Sequence, residues 1–434
     1  MDDIEKRILK IIDRQREEII SFARDIEKHP ELGFEEERTA GRVAKVFEDL
    51  GLKVRTGLAR TGVRGELEGK KGPNITVMGE LDGIVCWSHP LADQKTGAAH
   101  ACGHHAQLAA MAGAAMALCE KEVRASLDGS VTFFAVPAEE YVNAEKRREI
   151  KKQNIGFPAS GKSELIRKGE LDHADIIMTT HVHMIPCKEK LYLGNAASNG
   201  FAAEVVNIRG KAAHAAINPW DGVNALSIAT SAIQMMGLMR ETFREKDHVR
   251  LHNVIRKAGD VINSVPEEAI VETKVRAADL QQIQNVRKMI ERAYDGAAYA
   301  FGGKIKREIL QGYMPVRYRP ADQVLIEAAQ DLQVTGRKAE VWDFNDACTD
   351  VGDLTHLFPV LNFTFGGTEG SLHGADFKVT DEETAYILPA KMLALSVYKL
   401  LKEQGKEAEK IIDSYRPVFN RDSYVEYINE QFHI

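Results

Sequence analysis

Apolar residues recur along the chain at the spacings of helices and strands, and their order indicates an α/β fold. The helical spacing predicts helices over residues 4–28, 36–50, 107–118, 163–169, 320–334 and 381–404. Short apolar runs predict strands over residues 62–67, 74–78, 130–136, 175–180, 339–343 and 360–365. The polar segment 405–434 contains scattered aromatic residues and has no pattern that assigns it to an element.

The middle of the chain follows a separate pattern of its own. It predicts strand 200–209, helix 220–245, strands 249–257 and 268–278, helix 279–301 and strand 304–311. This βαββαβ order is the ferredoxin-like arrangement, and it is self-contained. We therefore expect a first domain over residues 1–196, an inserted domain over 197–312, and a return to the first domain over 313–434.

Length, charge and cysteine usage narrow the class of protein. A chain of 434 residues is about two to three times as long as a typical domain. Its net charge of −7 comes from interspersed acids and bases, which argues against a nucleic-acid partner. No apolar run is long enough for a membrane span, and the charged N-terminus is unlike a secretory signal. Five scattered cysteines indicate reduced thiols and a cytoplasmic location.

The densest chemistry lies in residues 99–105, where one thiol and three imidazoles occur within seven positions. Cys102 and His104 are separated only by Gly103, and the small residues allow the backbone to fold tightly around an ion. Thiolate and imidazole are ligands for zinc, manganese, cobalt or nickel, so the cluster predicts a metal site. The alternative is a helix N-terminus with histidines that serve only the structure.

Further polar residues follow the predicted strands, where open α/β sheets place their sites. Asp82 follows strand 74–78, and Glu139 and Glu140 follow strand 130–136. Two adjacent carboxylates are costly without a cation, but beside a metal one serves as a ligand and the other as a base. The alternatives are a turn-forming aspartate and an exposed acidic turn.

Histidines follow two more strands. His181 and His183 end strand 175–180 and would point to the same side of an extended segment, so either could reach an ion. His373 lies in a glycine-rich loop after strand 360–365, where the backbone can approach a ligand closely. A single histidine would more often be structural, but several strand ends converge here.

The remaining candidates lie in a charged segment and in the inserted domain. Residues 142–162 read as an inserted surface segment near the site that could cover it. Its Gly161-Lys-Ser is not a phosphate-binding loop, because the required upstream glycine is missing. In the inserted domain, His214 lies among small residues, and Arg276 could grip a carboxylate or be a solvated strand charge.

The motifs together resemble the metal-dependent amidohydrolases of the aminoacylase and carboxypeptidase superfamily. The nearest branch includes hippurate hydrolase, plant indole-acetyl-amino-acid hydrolases and p-aminobenzoyl-glutamate hydrolase. Residues 349–353 especially resemble the p-aminobenzoyl-glutamate hydrolase type. The resemblance covers about residues 15–400. Its motifs, in order, are His29-Pro-Glu-Leu-Gly-Phe-Glu-Glu36, Gly79-Glu-Leu-Asp82, His100-Ala-Cys-Gly-His104, Pro137-Ala-Glu-Glu140, His181, Gly210-Lys-Ala-Ala-His214-Ala-Ala, Asn263, Arg276 and His373.

The resemblance implies a metallopeptidase-like catalytic domain that binds two divalent ions (Mn, Zn, Co or Ni) and an inserted lid domain that forms a homodimer. The implied metal ligands are Cys102, His104, Glu140, His181 and His373. Some relatives have a histidine that binds the metal at the position of Glu80. The branch whose ligand is a cysteine lacks that histidine. Glu139 would be the general base, and Asp82 would orient a ligand.

The implied substrate contacts lie on both domains. His214 would reach the neighbouring subunit's site and stabilise the oxyanion. Asn263 and Arg276 would hold the substrate carboxylate, and Gly367 would lie near the substrate backbone.

Three positions depart from the family pattern. His105 replaces the usual aspartate, Gln107 replaces a histidine, and Tyr141 replaces the glycine after the paired glutamates. These changes leave the implied ligands intact. We expect His105 and Tyr141 to contact substrate and His105 to change substrate preference.

Three functions remain open from the sequence. The first is metal-dependent hydrolysis of an N-acyl or N-aroyl amino acid, for example a p-aminobenzoyl-glutamate-like amide, or of a related small amide. The second is hydrolytic deamination of an activated aromatic amine at the same site, which the three departures motivate. The third is an inactive binding or regulatory subunit of a hetero-oligomeric amidohydrolase.

Overall fold

The computed structural model describes residues 1–432, and the chain divides into two compact units. Unit 1 comprises Met1–Ala197, Arg317–Asn345 and Asp353–Val425. Unit 2 comprises Ser198–Val316, Asp346–Gly352 and the chain from Glu426 onward. Among the described residues, no helix combines the length and apolarity that crossing a membrane requires.

Fourteen α-helices lie within the described residues. They are α1 Asp3–Arg14, α2 Arg16–Glu27, α3 Glu37–Asp49, α4 His104–Leu118, α5 Lys121–Ala125, α6 Ala144–Lys151, α7 Gly161–Arg167, α8 Ala225–Met239, α9 Leu280–Phe301, α10 Gln323–Asp331, α11 Val351–Leu357, α12 Leu388–Leu401, α13 Lys406–Ser414 and α14 Arg421–Phe432. A π-helical turn, Glu383–Ile387, leads into α12.

The strands of residues 1–432 are two to ten residues long, and most belong to two sheets. They are β1 Lys53–Leu58, β2 Gly62–Leu67, β3 Asn74–Glu80, β4 Ile84–Val85, β5 Ala98–Ala99, β6 Ser130–Val136, β7 Ile176–Val182, β8 Leu191–Leu193, β9 Ala197–Ser198, β10 Gly200–Arg209, β11 Arg250–Ala258, β12 Glu268–Ala277, β13 Lys304–Leu310, β14 Gly336–Lys338, β15 Phe344–Asn345, β16 Val360–Phe365, β17 Thr368–Glu369 and β18 Lys378–Val379.

Unit 1 is built on a mixed eight-stranded sheet with the order β1-β2-β6-β3-β7-β16-β8-β14. Its four central strands, β6, β3, β7 and β16, are adjacent and parallel. Their apolar runs are buried on both faces, as parallel sheets require. The carboxyl ends of these four strands therefore share one edge of the sheet.

The helix α4 lies in the core of unit 1. All 15 of its residues are buried, and its many alanines allow close packing against its neighbours. Gly113 is needed for this packing, because an added Cβ would lie 2.8 Å from atoms of Ile19 and Ala390. The first residue of this buried helix is His104, so one candidate ligand is anchored in the core.

Unit 2 contains a four-stranded antiparallel sheet with the order β11-β12-β10-β13. Helices α8 and α9 connect its strands in the βαββαβ order that the sequence predicts. Along β12, buried and half-buried residues alternate, because one face of the sheet meets the helices.

Several predicted elements differ from the observed ones. The helix predicted over 4–28 is two helices, since Gln15 leaves the helical conformation with ψ of 7°. The helix predicted over 220–245 is shorter, because Asn224 caps α8 and its last turns become 3₁₀-helical. No strand forms over 339–343, and β14 precedes that stretch instead. The unassigned segment from 405 forms α13 and α14.

Candidate active site

The turn Cys102-Gly103-His104 brings a thiol and an imidazole to the edge where the parallel strands end. Gly103 has a φ of 82°, which is left-handed and favours glycine. A Cβ at this position would lie 2.7 Å from Val182 at the end of β7. The glycine therefore makes the turn and lets β7 approach the cluster.

The imidazole of His104 is held in one orientation. Its Nδ1 donates to the carbonyl oxygen of Asp82 at 2.8 Å, which leaves the lone pair on Nε2. Nε2 is buried and makes no hydrogen bond. A buried, unsatisfied ring nitrogen beside a thiol is the arrangement expected of a metal ligand.

A second set of ligands meets the same thiol from the other side. His373 Nε2 lies 3.3 Å from Cys102 Sγ and 3.0 Å from Glu140 Oε1. That oxygen of Glu140 is buried and makes no hydrogen bond. The backbone N–H of His373 donates to Ala101 at 2.8 Å, which ties the glycine-rich loop to the cysteine turn.

The two histidines at the end of β7 have different surroundings. His181 Nε2 lies 3.6 Å from Cys102 Sγ, so this ring joins the cluster. His183 instead contacts the Thr364 hydroxyl at 2.7 Å and the Glu189 carbonyl at 3.0 Å. Of the two alternatives left open by the sequence, the structure brings only His181 to the other candidates.

The donor set fits divalent metal ions. Three groups have ligand atoms within 4.8 Å of one another: Cys102, His104 and His181; Cys102, Glu140 and His373; and Glu80, His104 and Glu139. Cys102 belongs to the first two. Burial raises the pKa of its thiol well above the usual value, so a thiolate here requires a nearby cation.

Two buried carboxyl groups hold the backbone around Glu139 and Glu140. Glu36 accepts from the N–H of Ala138 at 2.8 Å, and Asp82 accepts from the N–H of Glu140 at 2.9 Å. Ala138 adopts a φ of 51°, a conformation that non-glycine residues rarely take. Burial and the charge of Asp82 raise the pKa of Glu36 to about 8.

Comparisons with known proteins identify relatives of the chain. Residues 196–300 match the family model of the peptidase dimerisation domain. N-acetyl-L-cysteine deacetylase of Bacillus subtilis is 26% identical over 414 residues, 91% of this chain and 91% of that protein. N-acyl-L-amino acid amidohydrolase of Geobacillus stearothermophilus is 24% identical over 320 residues, 72% of this chain and 80% of that protein.

Solved structures show the same fold. A dinuclear metal-binding peptidase of the M20 family from Bacillus subtilis superposes with a TM-score of 0.67 at 21% identity, covering 90% of this chain and 99% of that one. The chain is an amidohydrolase that carries a peptidase dimerisation domain. The resemblance to amidohydrolases, the α/β fold with its inserted domain and the hydrolase class predicted from the sequence are thereby confirmed.

Not every predicted site residue of the amidohydrolase lies at the cluster. His105 is fully buried, with its ring 5.5 Å from that of His100 and 5.9 Å from that of Tyr386. It points into the core because it lies one position further along α4 than His104, about 100° around the helix. The structure therefore places His105 in the core and not at the cluster, which gives no support to its expected contact with substrate.

The amidohydrolase has a cleft beside the predicted substrate-binding glycine. Gly367 has a φ of 89°, and a Cβ there would lie 2.6 Å from the carbonyl oxygen of Asp381. It lines a cleft of about 680 Å³ together with His183, Met184 and Leu372.

Tyr141 is 39% exposed, and its ring is covered by the Arg147 guanidinium at 4.7 Å.

The segment 142–162 is more than a charged surface segment. Its Val142, Ile150 and Ile155 form an apolar cluster with Phe34 and Ala138. This packing fixes the segment next to the turn that carries Glu139 and Glu140.

The predicted residues of unit 2 fall at opposite ends of its sheet. His214 and Asn263 are close, since the Asn263 carbonyl accepts from the N–H next to His214 at 3.0 Å. Arg276 lies at the far end of β12, eight residues beyond Glu268, which is roughly 27 Å along a strand. Within a single chain, Asn263 and Arg276 therefore cannot hold the same carboxylate.

Four buried polar residues of the amidohydrolase site had no specific role in the sequence reading: Glu36, Glu80, Gln107 and Lys162. Gln107, which the sequence marks only as a departure from the family pattern, is 2% exposed and binds Glu80 through two hydrogen bonds. The signal available was the polar residue within an otherwise apolar helix.

Proposed function

We propose that the chain hydrolyses the amide bond of an N-acyl or N-aroyl amino acid, or of a related small amide, using two divalent metal ions. The observation that carries the proposal is the pair of ligand groups that share Cys102, with Glu139 beside them. The first ion would be held by Cys102, His104 and His181. The second would be held by Cys102, Glu140 and His373.

Such ions polarise a carbonyl group and lower the pKa of water when they are bound. Glu139 is 8% exposed, and its Oε2 lies 3.9 Å from Nε2 of His104. Its carboxylate can take a proton from the attacking water and return it to the leaving amine. Asp82 holds His104 through its backbone carbonyl oxygen and the backbone of Glu140 through its carboxylate, so it acts as a positioning residue.

The substrate class is supported by the relatives and by the cleft. The names of two relatives describe N-acyl amino acids as their substrates. A cleft of about 680 Å³ can hold a small amide, and its walls combine apolar Met184 and Leu372 with charged Lys190 and Asp381.

We also propose that the chain acts as a homodimer through unit 2. The separation of Asn263 and Arg276 supports this, because two chains can supply one residue each to a site. Nδ1 of His214 accepts from the N–H groups of Ala216 and Ile217, each at 3.2 Å. The ring proton therefore lies on Nε2, which is free to donate to an oxyanion in the partner's site.

A panel of N-acyl and N-aroyl amino acids tests the function. The purified protein is loaded with Mn, Zn, Co or Ni, and the released amine is measured. We expect about two ions per chain, loss of activity with a chelator, and a loss of roughly 100-fold or more in kcat for Glu139→Gln. Normal turnover by Glu139→Gln would contradict the proposal.

The same panel separates the other two functions. Release of ammonia instead of an amino acid would indicate deamination, but the burial of His105 and Gln107 removes two of the three departures that motivated it. A protein with neither metal nor activity would indicate a regulatory subunit.

A further inference from the structure

A second cleft of unit 1 lies at the amino end of β16, away from the candidate metal ligands. It has a volume of about 260 Å³, and the residues that line it are Asn195 and members of the segments 317–320, 355–360 and 414–416. Val360 is the first residue of β16, whereas the candidate ligand His181 pairs with Thr364 near the other end of that strand. Val360 and Thr364 are roughly 13 Å apart along the strand, so the cleft is separate from the candidate active site.

Uncharged groups hold the guanidinium of Arg317 at the wall of this cleft. Its Nη1 donates to the carbonyl oxygens of Thr355 at 3.3 Å and Arg416 at 3.2 Å, and to the hydroxyl oxygen of Tyr415 at 3.1 Å. The Tyr415 hydroxyl donates in turn to the Thr355 carbonyl oxygen at 2.8 Å. Nε and Nη2 of Arg317 make no hydrogen bond with the described residues and are accessible to solvent. The group is therefore fixed in place with donors available to a ligand.

A second arginine presents its donors to the same cleft. Nη1 of Arg416 donates to the carbonyl oxygens of Asp413 at 2.6 Å and Tyr415 at 2.8 Å. Within residues 1–432, its Nε and Nη2 have no hydrogen-bond partner. The two arginines are adjacent, because the carbonyl oxygen of Arg416 accepts from Arg317.

The positive charge of these two arginines is not neutralised locally. Neither Arg317 nor Arg416 forms an ion pair with an acidic residue in the part of the chain that the structure describes. The third arginine of the cleft, Arg319, is neutralised by Asp322, to which its Nε donates at 2.8 Å. None of the described residues that line the cleft is acidic. Two neighbouring guanidinium groups repel each other, and an anion between them would relieve that repulsion.

We propose that this cleft binds a phosphate group, either as inorganic phosphate or as a small phosphate monoester, through Arg317 and Arg416. A phosphate carries a charge of about −1.5 to −2 at pH 7, which matches two guanidinium groups better than a single carboxylate does. Arginine forks also suit the oxygens of a phosphate. The aromatic side chains of Tyr318 and Phe358 line the cleft and could contact the organic part of a monoester.

Calorimetric titration of the whole, metal-loaded protein tests the proposal with three probes: inorganic phosphate, phenyl phosphate and acetate. We expect both phosphates to bind at least roughly tenfold more tightly than acetate, because acetate has a single charge. Tighter binding of phenyl phosphate would identify a monoester as the ligand, and equal binding would identify inorganic phosphate. Acetate that binds as tightly as phosphate would overturn the proposal.

Arg416→Gln is the main variant, because this exposed side chain can be changed without disturbing the core. We expect it to weaken phosphate binding roughly ten- to a hundredfold, the effect of losing hydrogen bonds to a charged group. Arg317→Lys keeps the charge but loses the planar fork, so it should also weaken binding. Thermal unfolding shows whether each variant is folded. Wild-type affinity in Arg416→Gln would contradict the proposal.

Arg421→Gln is the matched control. Arg421 is also exposed and lies in unit 1, five positions beyond Arg416, but it pairs with Asp172. Its replacement should leave phosphate binding unchanged. Phosphate could instead bind at the metal centre, so the titration is repeated after treatment with a chelator. Binding that the chelator abolishes and that Arg416→Gln leaves intact would overturn the proposal.

Discussion

His104 and His105 are neighbours in the chain, yet their side chains lie in different environments. One faces a cluster of candidate ligands, and the other faces Tyr386 and His100 in the core. Both ring nitrogens of His105 are buried without a hydrogen bond. Such a side chain contributes little that an apolar residue of similar size could not.

We therefore predict that His105→Leu keeps the metal content and the ranking of substrates in the panel. Its stability should be equal to or higher than that of the wild type, because two unsatisfied buried nitrogens are removed. Metal analysis, kcat/KM for each substrate and thermal unfolding check this. A changed substrate ranking would restore the role in specificity that the sequence suggested.

The comparison of these histidines shows what the sequence could predict at this scale. The sequence pattern indicates where a strand or turn ends, and therefore where the residues that follow it lie. Such residues include Cys102, His104 and Glu140. The direction of His105 depends on which side of α4 faces the core, and a helix that is apolar all around has no pattern that reveals this.

At the level of elements, the strand ends were predictable and the polar contacts between elements were not. Buried apolar runs end at polar residues, so β3, β6, β7 and β16 were all located from the sequence within two residues. The pairing of Lys162 with Glu80 joins α7 to β3 across 82 positions, and no local pattern encodes it.

A similar long-range contact joins α1, α10 and α12. Glu5 is 2% exposed and lies 2.8 Å from Lys399 and 2.9 Å from Lys402, while Lys399 also contacts Asp331 at 2.7 Å. Burial acts to raise the pKa of Glu5, but the hydrogen bonds from the two lysines outweigh it and lower this pKa to about 2.

We predict that Glu5→Gln lowers the free energy of unfolding at pH 7 by about 1.5–3 kcal/mol, the contribution of hydrogen bonds to charged groups. A depressed pKa stabilises the folded state at pH values above the unfolded value of 4.5. The difference between wild type and variant should shrink as the pH falls from 4.5 toward about 2.

Urea unfolding at pH 7, 4 and 3 measures this dependence. The exposed Glu18 on α2 provides the control, and Glu18→Gln should change the stability by no more than about 0.5 kcal/mol at any pH. A difference for Glu5→Gln that grows at acid pH would contradict the sign of the shift.

At the level of the whole molecule, unit 2 exposes more apolar side chains than a surface without partners needs. Those that are more than 60% exposed are Ile217, Trp220, Leu238, Ile262 and Tyr299. Strand β11 is at the edge of its sheet and also exposes Val254. Exposed apolar residues on an edge strand are typical of an interface between protein chains.

We predict that Val254→Lys converts the proposed dimer into a monomer, because a charge on β11 opposes pairing between the edge strands of two chains. Light scattering coupled to size-exclusion chromatography measures the mass. Metal content should be unchanged, and activity should fall because the proposed contact of His214 with the partner's site is lost. Val418→Lys is the control, since Val418 is equally exposed at 53% but lies in unit 1.

The burial of α4 also bears on how quickly the protein would exchange the two proposed ions. His104 can leave its place only when the surrounding core opens, and such openings are among the rarest in a folded protein. His373 lies on a loop, and its side chain is 47% exposed. The loop can swing outward while the core stays closed, so a chelator should strip the ion beside His373 first and leave a protein with one ion for a measurable time.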